Sequence, residues 1–380
     1  MSNQVIYRKY RPQRFSEVVG QDHITSTLKN AISRNKISHA YLFCGPKGSG
    51  KTTVARILAK AVNCSDPNNG EPCNECTSCE DIIKGSAMDI VEIDAASHRG
   101  IDEIRELREG VRFSPNNLNY KIFILDEAHQ LTSGAANALL KMLEEAPSHA
   151  IFILATTEPQ KMIPTIISRC QRFDFHKISV RTMMERFHEI TKKEGVHPEE
   201  GVLSMIASAA GGSLRDGEST LSQVLSLAPE SGEIKKDDVK NLLGVVEREM
   251  IGDFVDSLIK GNAVEAIKKM QDAFSQGTDI EAFYEDLMHY VREMMVLKVL
   301  SGAEEKEEAK SLRESLLVKL TQEEIERIKE QVRDLEKEDI RMMVDSFLEA
   351  GERIKYSPIP QLPLEVAAAE ISEGLRNKGQ

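Results

Sequence analysis

The stretch Gly45-Pro46-Lys47-Gly48-Ser49-Gly50-Lys51-Thr52 lies between an apolar run at 39–44, which reads as a buried strand, and a helix-patterned segment at 53–62. Strand, glycine loop, then Gly-Lys-Thr opening a helix is the context of a phosphate-binding P-loop. Gly45, Gly48 and Gly50 allow positive φ and let successive N–H groups converge on an anion. The helix N-terminus adds partial positive charge at the same point. Lys51 can then reach the β- and γ-phosphates of a nucleotide, and the Thr52 hydroxyl can hold Mg²⁺. Residues 45–52, with Thr53 on the first turn of the helix, form the expected nucleotide cradle.

A second apolar run, 121–125, ends in Asp126-Glu127. In parallel α/β sheets, ligands sit at the carboxyl ends of strands. There Asp126 is placed to help bind Mg²⁺ and Glu127 to polarise an attacking water. A third run, 150–155, ends in Thr156-Thr157, where Thr157 senses the γ-phosphate, holds the water or simply closes a strand. Arg169, after a short helix at 164–168, is either an ordinary surface residue or a cation aimed at a transferring phosphoryl group. The segment 5–14 carries four bases, two tyrosines and no acid; it is a solvated arm, or one that packs on a base or phosphate. A helix is expected at about 22–34 and a short amphipathic one at 137–145.

Four cysteines, Cys64, Cys73, Cys76 and Cys79, are spaced C-x8-C-x2-C-x2-C. The two tight steps put three thiolates around one centre, and Cys64 can close a tetrahedron, which predicts a structural Zn²⁺ site. The residues between Cys64 and Cys73 are all turn formers with no core of their own, so a metal would give them shape. Cys44 and Cys170 lack clustered partners and read as small apolar residues.

The chain has 380 residues, long for one core, so two or three domains are expected. Its net charge of −12 argues against a generally basic nucleic-acid binder. The charge is uneven: residues 1–180 carry +2 and the remainder −14, which leaves room for a basic surface on the first half. No apolar run nears 18 residues and no signal-peptide pattern opens the chain, so a soluble, cytoplasmic protein is expected. From about residue 177 the pattern turns helical, with helices at 180–194 and 198–210, a third beginning near Arg215 and a fourth at 237–243. From 247 onward no strand candidate remains; 321–350 reads as charged helix, and a last helix is expected at 364–375.

Taken together, the motifs resemble the clamp-loader group of AAA+ ATPases, on its bacterial DNA polymerase III branch. The matching elements are Tyr7-Arg-Lys-Tyr-Arg-Pro, Val19-Gly-Gln, the P-loop, the four cysteines, Asp126-Glu-Ala-His, Ala155-Thr-Thr-Glu-Pro, Ser168-Arg-Cys and Gly212-Ser-Leu-Arg-Asp. The resemblance implies an α/β fold, an AAA+ parallel sheet with helices on both faces and a four-cysteine zinc insert (1–177, zinc module 64–79). A small helical lid (178–243), an all-α collar (244–368) and a tail (369–380) would follow. It implies ATP, Mg²⁺ and Zn²⁺ as ligands. Thr157 would be the sensor-1 residue, Arg169 a finger reaching a neighbouring subunit's ATP, and Arg215 the sensor-2 residue of the lid. Tyr10, Arg11 and Val19 are expected among the nucleotide contacts. The implied partners are delta and delta-prime subunits, copies of the chain itself, a sliding clamp and primer–template DNA; no membrane is implied. Longer forms of the family continue into segments that contact helicase and polymerase. Gly217-Glu218-Ser219 departs from the family's usual Ala-Leu-Ser, which is expected to loosen that lid helix while leaving Arg215 in place. A non-hydrolysing structural subunit and a different AAA+ remodeller are the alternatives.

Overall fold

Five strands take up the apolar runs of the first half: β1 (Ala40–Cys44), β2 (Ile90–Asp94), β3 (Lys121–Asp126), β4 (Ala150–Thr156) and β5 (Gln171–Asp174). This computed structural model describes residues 5–97, 100–229, 232–243, 248–275, 277–301 and 322–378. The strands form one sheet in the order β2-β3-β4-β1-β5, with every pairing parallel. β1 and β4 are buried along their whole length because helices cover both sheet faces, which explains why their sequences run continuously apolar. Alternate side chains feed two cores. Tyr41, Phe43, Ile122, Ile124, Ile151 and Ile153 pack with Ile24, Leu28, Val54 and Leu58 on one face. Leu42, Phe123, Leu125, Phe152 and Leu154 pack with Leu107, Leu139 and Met142 on the other. Cys44 lies in this second core as an apolar filler, as its sequence context suggests.

Parallel strands bring their carboxyl ends to one edge. Cys44 stands opposite Thr156, and β3 lies beside β4, so the P-loop, Asp126-Glu127 and Thr157 emerge side by side. The helix Asp22–Ser33 matches its sequence pattern closely. The helix expected at 137–145 instead spans Ser133–Glu144. It starts early because the Thr132 hydroxyl accepts a bond from the Ala135 N–H, a cap that the small residues following it conceal.

The protein divides into two compact units after Val239, and the first holds the sheet together with helices Val180–Glu194, Val202–Ala209 and Leu214–Ser226. The second of these starts four residues later than the 198–210 pattern predicts. His197–Pro198 pairs in parallel with Glu233–Ile234 instead, the His197 N–H donating to Gly232 O at 2.8 Å. That pairing joins residues 36 apart and leaves no local signal. Leu214–Ser226 runs unbroken through Gly217. A Cβ there would come within 2.6 Å of Phe187 Cζ, so glycine permits close helix packing that offsets its cost of about 1 kcal/mol in a helix.

The second unit, from Lys240, is helical throughout its described residues: Arg248–Ile259, Ala263–Ser275, Ile280–Ser301, Gln322–Arg333, Lys337–Ile354 and Leu362–Lys378. Phe254, Phe283 and Phe347 meet at its centre. The pattern read as continuous over 321–350 breaks at 334–336, where Glu336 and Asp339 form a reciprocal capping box. Inside it, Tyr290 Oη donates to Gln331 Oε1 at 2.6 Å, and Gln331 Nε2 donates to Asp256 Oδ1 at 2.7 Å. The last helix reaches Lys378, through the segment expected as a tail. The expected boundary at 243–244 falls against residues 244–247, which lie outside the described residues, as do 302–321 of the expected collar.

Candidate nucleotide and metal sites

The P-loop takes positive φ at Gly45 (145°), Gly48 (72°) and Gly50 (102°). Gly45 has a second reason to be glycine: a Cβ would lie 2.5 Å from Phe175 O. Gln21, fully buried, ties this loop to the strand beyond it. Its Nε2 donates to His176 O at 2.8 Å and Ser49 O at 3.4 Å, and its Oε1 accepts from the His176 N–H. That network gives the Val19-Gly20-Gln21 element a structural purpose.

Lys51, 6% exposed, donates from Nζ to the carbonyls of Gly45 (2.8 Å) and Pro46 (2.9 Å). Burial pushes its ammonium pKa below the usual value, while Glu127 and Asp126 pull it back up. Thr52 Oγ1 donates to Asp126 Oδ2 at 2.7 Å, so hydroxyl and carboxylate are adjacent, as a shared hard cation requires. Asp126 Oδ1 accepts the Glu127 N–H. Glu127 itself sits at φ 48°, a conformation that is uncommon for non-glycine residues and aims its side chain.

Thr157 Oγ1 donates to Glu127 Oε2 at 2.9 Å and its N–H to the same oxygen at 3.3 Å. Thr157 thus bonds the Glu127 carboxylate from the end of β4. His129 is a residue the sequence reading gave no task. It is almost wholly buried, with Nδ1 3.0 Å from Thr156 Oγ1 and 3.4 Å from Glu127 Oε2, and Nε2 3.3 Å from Glu158 Oε1. Its place three residues after Asp126 was the available signal.

A cleft opens over the loop. Lys47 to Thr53, Asp126 and Glu127 line it together with Tyr7, Arg11, Pro12, Val18, Val19, Leu214, Arg215 and Glu218. Arg11 and Val19, expected among the nucleotide contacts, both line this cleft. Burial first, then the neighbouring Arg56, lowers the Arg11 pKa, as expected of a cation half-withdrawn from water. Arg215 stacks on Tyr7, its guanidinium carbon 5.2 Å from the ring centroid.

Tyr10 is not among the cleft-lining residues. Its hydroxyl donates to Glu194 Oε1 at 2.5 Å, Lys9 Nζ donates to the same oxygen at 2.6 Å, and the Tyr10 carbonyl accepts from Arg186 at 2.6 Å. The arm 5–14 therefore begins as a short helix, Ile6–Lys9, and straps the lid helix Val180–Glu194. Arg169 is not in its own chain's cleft either. It lies at the surface, donating to Glu144 Oε1 at 2.6 Å and Thr165 O at 2.9 Å.

The four clustered cysteines converge as their spacing predicts. Their sulfurs all lie within 4.8 Å of one another, with Cys64–Cys76 at 4.0 Å and Cys73–Cys79 at 3.9 Å. A tetrahedral four-sulfur site with bonds of about 2.3 Å needs sulfurs about 3.8 Å apart. The N–H groups of Cys73, Glu75 and Cys76 donate to cluster sulfurs at 3.3–3.4 Å. Burial pushes the Cys64 and Cys79 thiols up, whereas at Cys76 burial is outweighed by hydrogen bonds from Ser65 and Cys79 that bring the thiol down to about 6. The donor set fits a closed divalent site.

Strand order, loop and acidic pair together define a P-loop protein of the AAA+ arrangement, with a four-cysteine insert. The model described as DNA polymerase III, delta subunit, matches residues 20–179. That described as the DNA polymerase III clamp loader subunit, ATPase lid domain, matches 182–229, and that of DNA polymerase III subunits gamma and tau domain III matches 234–369. DNA polymerase III subunit tau of Bacillus subtilis (strain 168) is 44% identical over 98% of this chain and 64% of its own length. DNA polymerase III subunit gamma/tau of Mycobacterium tuberculosis (strain ATCC 25618 / H37Rv) is 37% identical over 96% and 62%, and subunit tau of Escherichia coli (strain K12) 33% over 96% and 55%. The chain belongs to the gamma/tau family of DNA polymerase III subunits. It spans under two thirds of the length of these relatives. Among the described residues, no helix is long and apolar enough to cross a membrane.

Proposed function

We propose that this chain is an ATP-hydrolysing subunit of a bacterial replicative clamp loader, acting within the DNA polymerase III holoenzyme to open a sliding clamp and load it on primed DNA. The observation that carries the reading is the Glu127 carboxylate, clasped by Thr157 and His129 beside the Thr52–Asp126 pair and the phosphate loop. In this reading the loop N–H groups and Lys51 bind the phosphates, Lys51 exchanging two backbone carbonyls for phosphate oxygens. Thr52 and Asp126 would hold Mg²⁺, which neutralises charge on the β- and γ-oxygens. Glu127 orients and polarises the attacking water, and Thr157 keeps that carboxylate in register. Arg215 reports the γ-phosphate to the lid. Arg169, held outward, acts on the ATP of an adjacent subunit.

Residues 1–177 then serve as the nucleotide-binding domain, 178–243 as the lid and 244–368 as the collar of a ring shared with delta, delta-prime and copies of this chain. Primer–template DNA would be held mainly through its phosphates, without regard to sequence. Cys64, Cys73, Cys76 and Cys79 would hold a structural Zn²⁺ with no open coordination position.

Two measurements test this. ATP turnover by the chain alone is expected to be slow and to rise when the companion subunits, clamp and primed DNA are added together; turnover indifferent to all three would point to a different machine. Metal analysis is expected to give about one zinc per chain, lost in Cys76→Ser together with protease resistance across residues 64–79. A metal-free chain of unchanged protease resistance would refute the zinc assignment.

A further inference from the structure

The residues between Cys64 and Cys73 do more than close a loop. Asn68 and Glu71 exchange backbone bonds of 3.0 and 2.9 Å across Asn69-Gly70, both at positive φ, which makes a tight hairpin. Gly70 presses on the helix Asp22–Ser33, where a Cβ would lie 2.5 Å from Lys29 O. Seated there, the hairpin presents Glu71 to a segment far earlier in the chain. Glu71 Oε2 accepts the Phe15 N–H at 2.7 Å, Oε1 accepts the Ser16 N–H at 2.9 Å, and Lys29 Nζ stands 3.4 Å from Oε1. Arg14 donates to the carbonyl of Cys73, one of the four clustered cysteines, at 3.2 Å. Buried Lys60, on the helix Lys51–Asn63 that leads into Cys64, donates to Gln13 Oε1 at 2.8 Å. Residues 13–16 are thus each bonded to the cysteine module or to the helix that enters it.

Immediately upstream, Arg11 and Pro12 line the nucleotide cleft, with Tyr7 on the short helix before them. Pro12 has a fixed φ and restricts Arg11 to extended backbone, so a displacement at 13–16 carries into the cleft wall instead of being absorbed. A staple that served its own loop alone would need no carboxylate aimed at two backbone N–H groups elsewhere. The hairpin also lies between two of the cysteines, so loss of a metal there frees both its ends. We propose that the four-cysteine module is a clasp for the nucleotide site. Glu71 is its positioning residue, fixing the path of residues 11–16 so that metal in the module and nucleotide in the cleft favour each other's binding. This rests on the zinc and ATP readings above and couples them.

The test is a cycle of two changes on the intact chain, read by calorimetric titration of Mg²⁺–ATP and by zinc binding at free zinc fixed by a chelator buffer. Glu71→Gln keeps the side chain's size but sets an amide NH₂ against a backbone N–H. It is expected to weaken ATP binding at least about fivefold, the lower end of couplings between sites, with zinc retained. Removing zinc from the wild type is expected to weaken ATP by a similar factor, and from Glu71→Gln by no more than about twofold further. Reciprocally, saturating ATP should tighten zinc binding in the wild type by the factor that zinc removal costs, and hardly at all in Glu71→Gln, a readout that lost stability alone would not move. Glu75→Gln removes the same charge from the exposed side of the module and is expected to leave ATP affinity unchanged. Wild-type ATP affinity in Glu71→Gln, or an equal loss on zinc removal with and without Glu71, would overturn the clasp. So would zinc and ATP that bind independently in the wild type, a measurement that needs no variant to fold. A wild type that binds no ATP, or that holds no zinc, overturns the site reading beneath the clasp, and the clasp with it.

Discussion

Glu127→Gln is expected to lower ATP turnover by about 10²–10⁴-fold, the range that a positioned general base contributes, with nucleotide affinity unchanged. The substitution is a clean one here. The glutamine Oε1 can still accept from Thr157 Oγ1 and the Thr157 N–H, so the side chain keeps its place and loses only its charge. Binding depends on the loop and on Lys51, which the change does not touch. Single-turnover hydrolysis beside a nucleotide titration separates the two effects. Undiminished turnover would remove Glu127 from the water-activating role, and affinity lost in step with turnover would make it a binding residue instead.

Arg169→Ala is expected to reduce turnover of the complete assembly by about 10³–10⁵-fold, the range for an arginine supplied in trans. The isolated chain should bind nucleotide as the wild type does, since Arg169 lies outside the cleft of its own chain. Folding should hardly register the loss. The Arg169–Glu144 pair is exposed at both ends, 36% and 43%, and such pairs contribute about 0–1 kcal/mol. Mixing variant and wild-type chains discriminates further, because a borrowed arginine lowers turnover at its neighbour's site. If the assembled variant kept its full rate, the shared-site account would fail.

What the sequence discloses here depends on how local the physics is. The P-loop, the acidic pair after β3 and the C-x2-C-x2-C run each complete their chemistry within a few residues, and all three sit where the pattern puts them. The burial of β1, β3 and β4 was likewise readable from their continuous apolar runs, though not which side chain enters which of the two cores. Pairings across long separations were not. Tyr10 meets Glu194 184 residues away, which draws its hydroxyl from the cleft to the lid. Arg215 meets Tyr7, an aromatic that the basic segment gave no reason to single out. His129 shows its importance only once β3 and β4 lie side by side and Thr156, Glu127 and Glu158 close around its ring. Gly217-Glu218-Ser219 stood out in the sequence as a departure from the family's usual residues, but the burial of Glu218 could not be read from it.

The approach of Gly48 to the lid has one more consequence. A Cβ on Gly48 would stand 1.9 Å from Ser213 Oγ, and Ser213 caps the helix that bears Arg215 and Glu218. Loop and lid thus meet like a key against its tumbler, with not even a methyl group's thickness of free play. Whatever reshapes the loop is felt at once at the pivot of that helix, and the signal needs no relay.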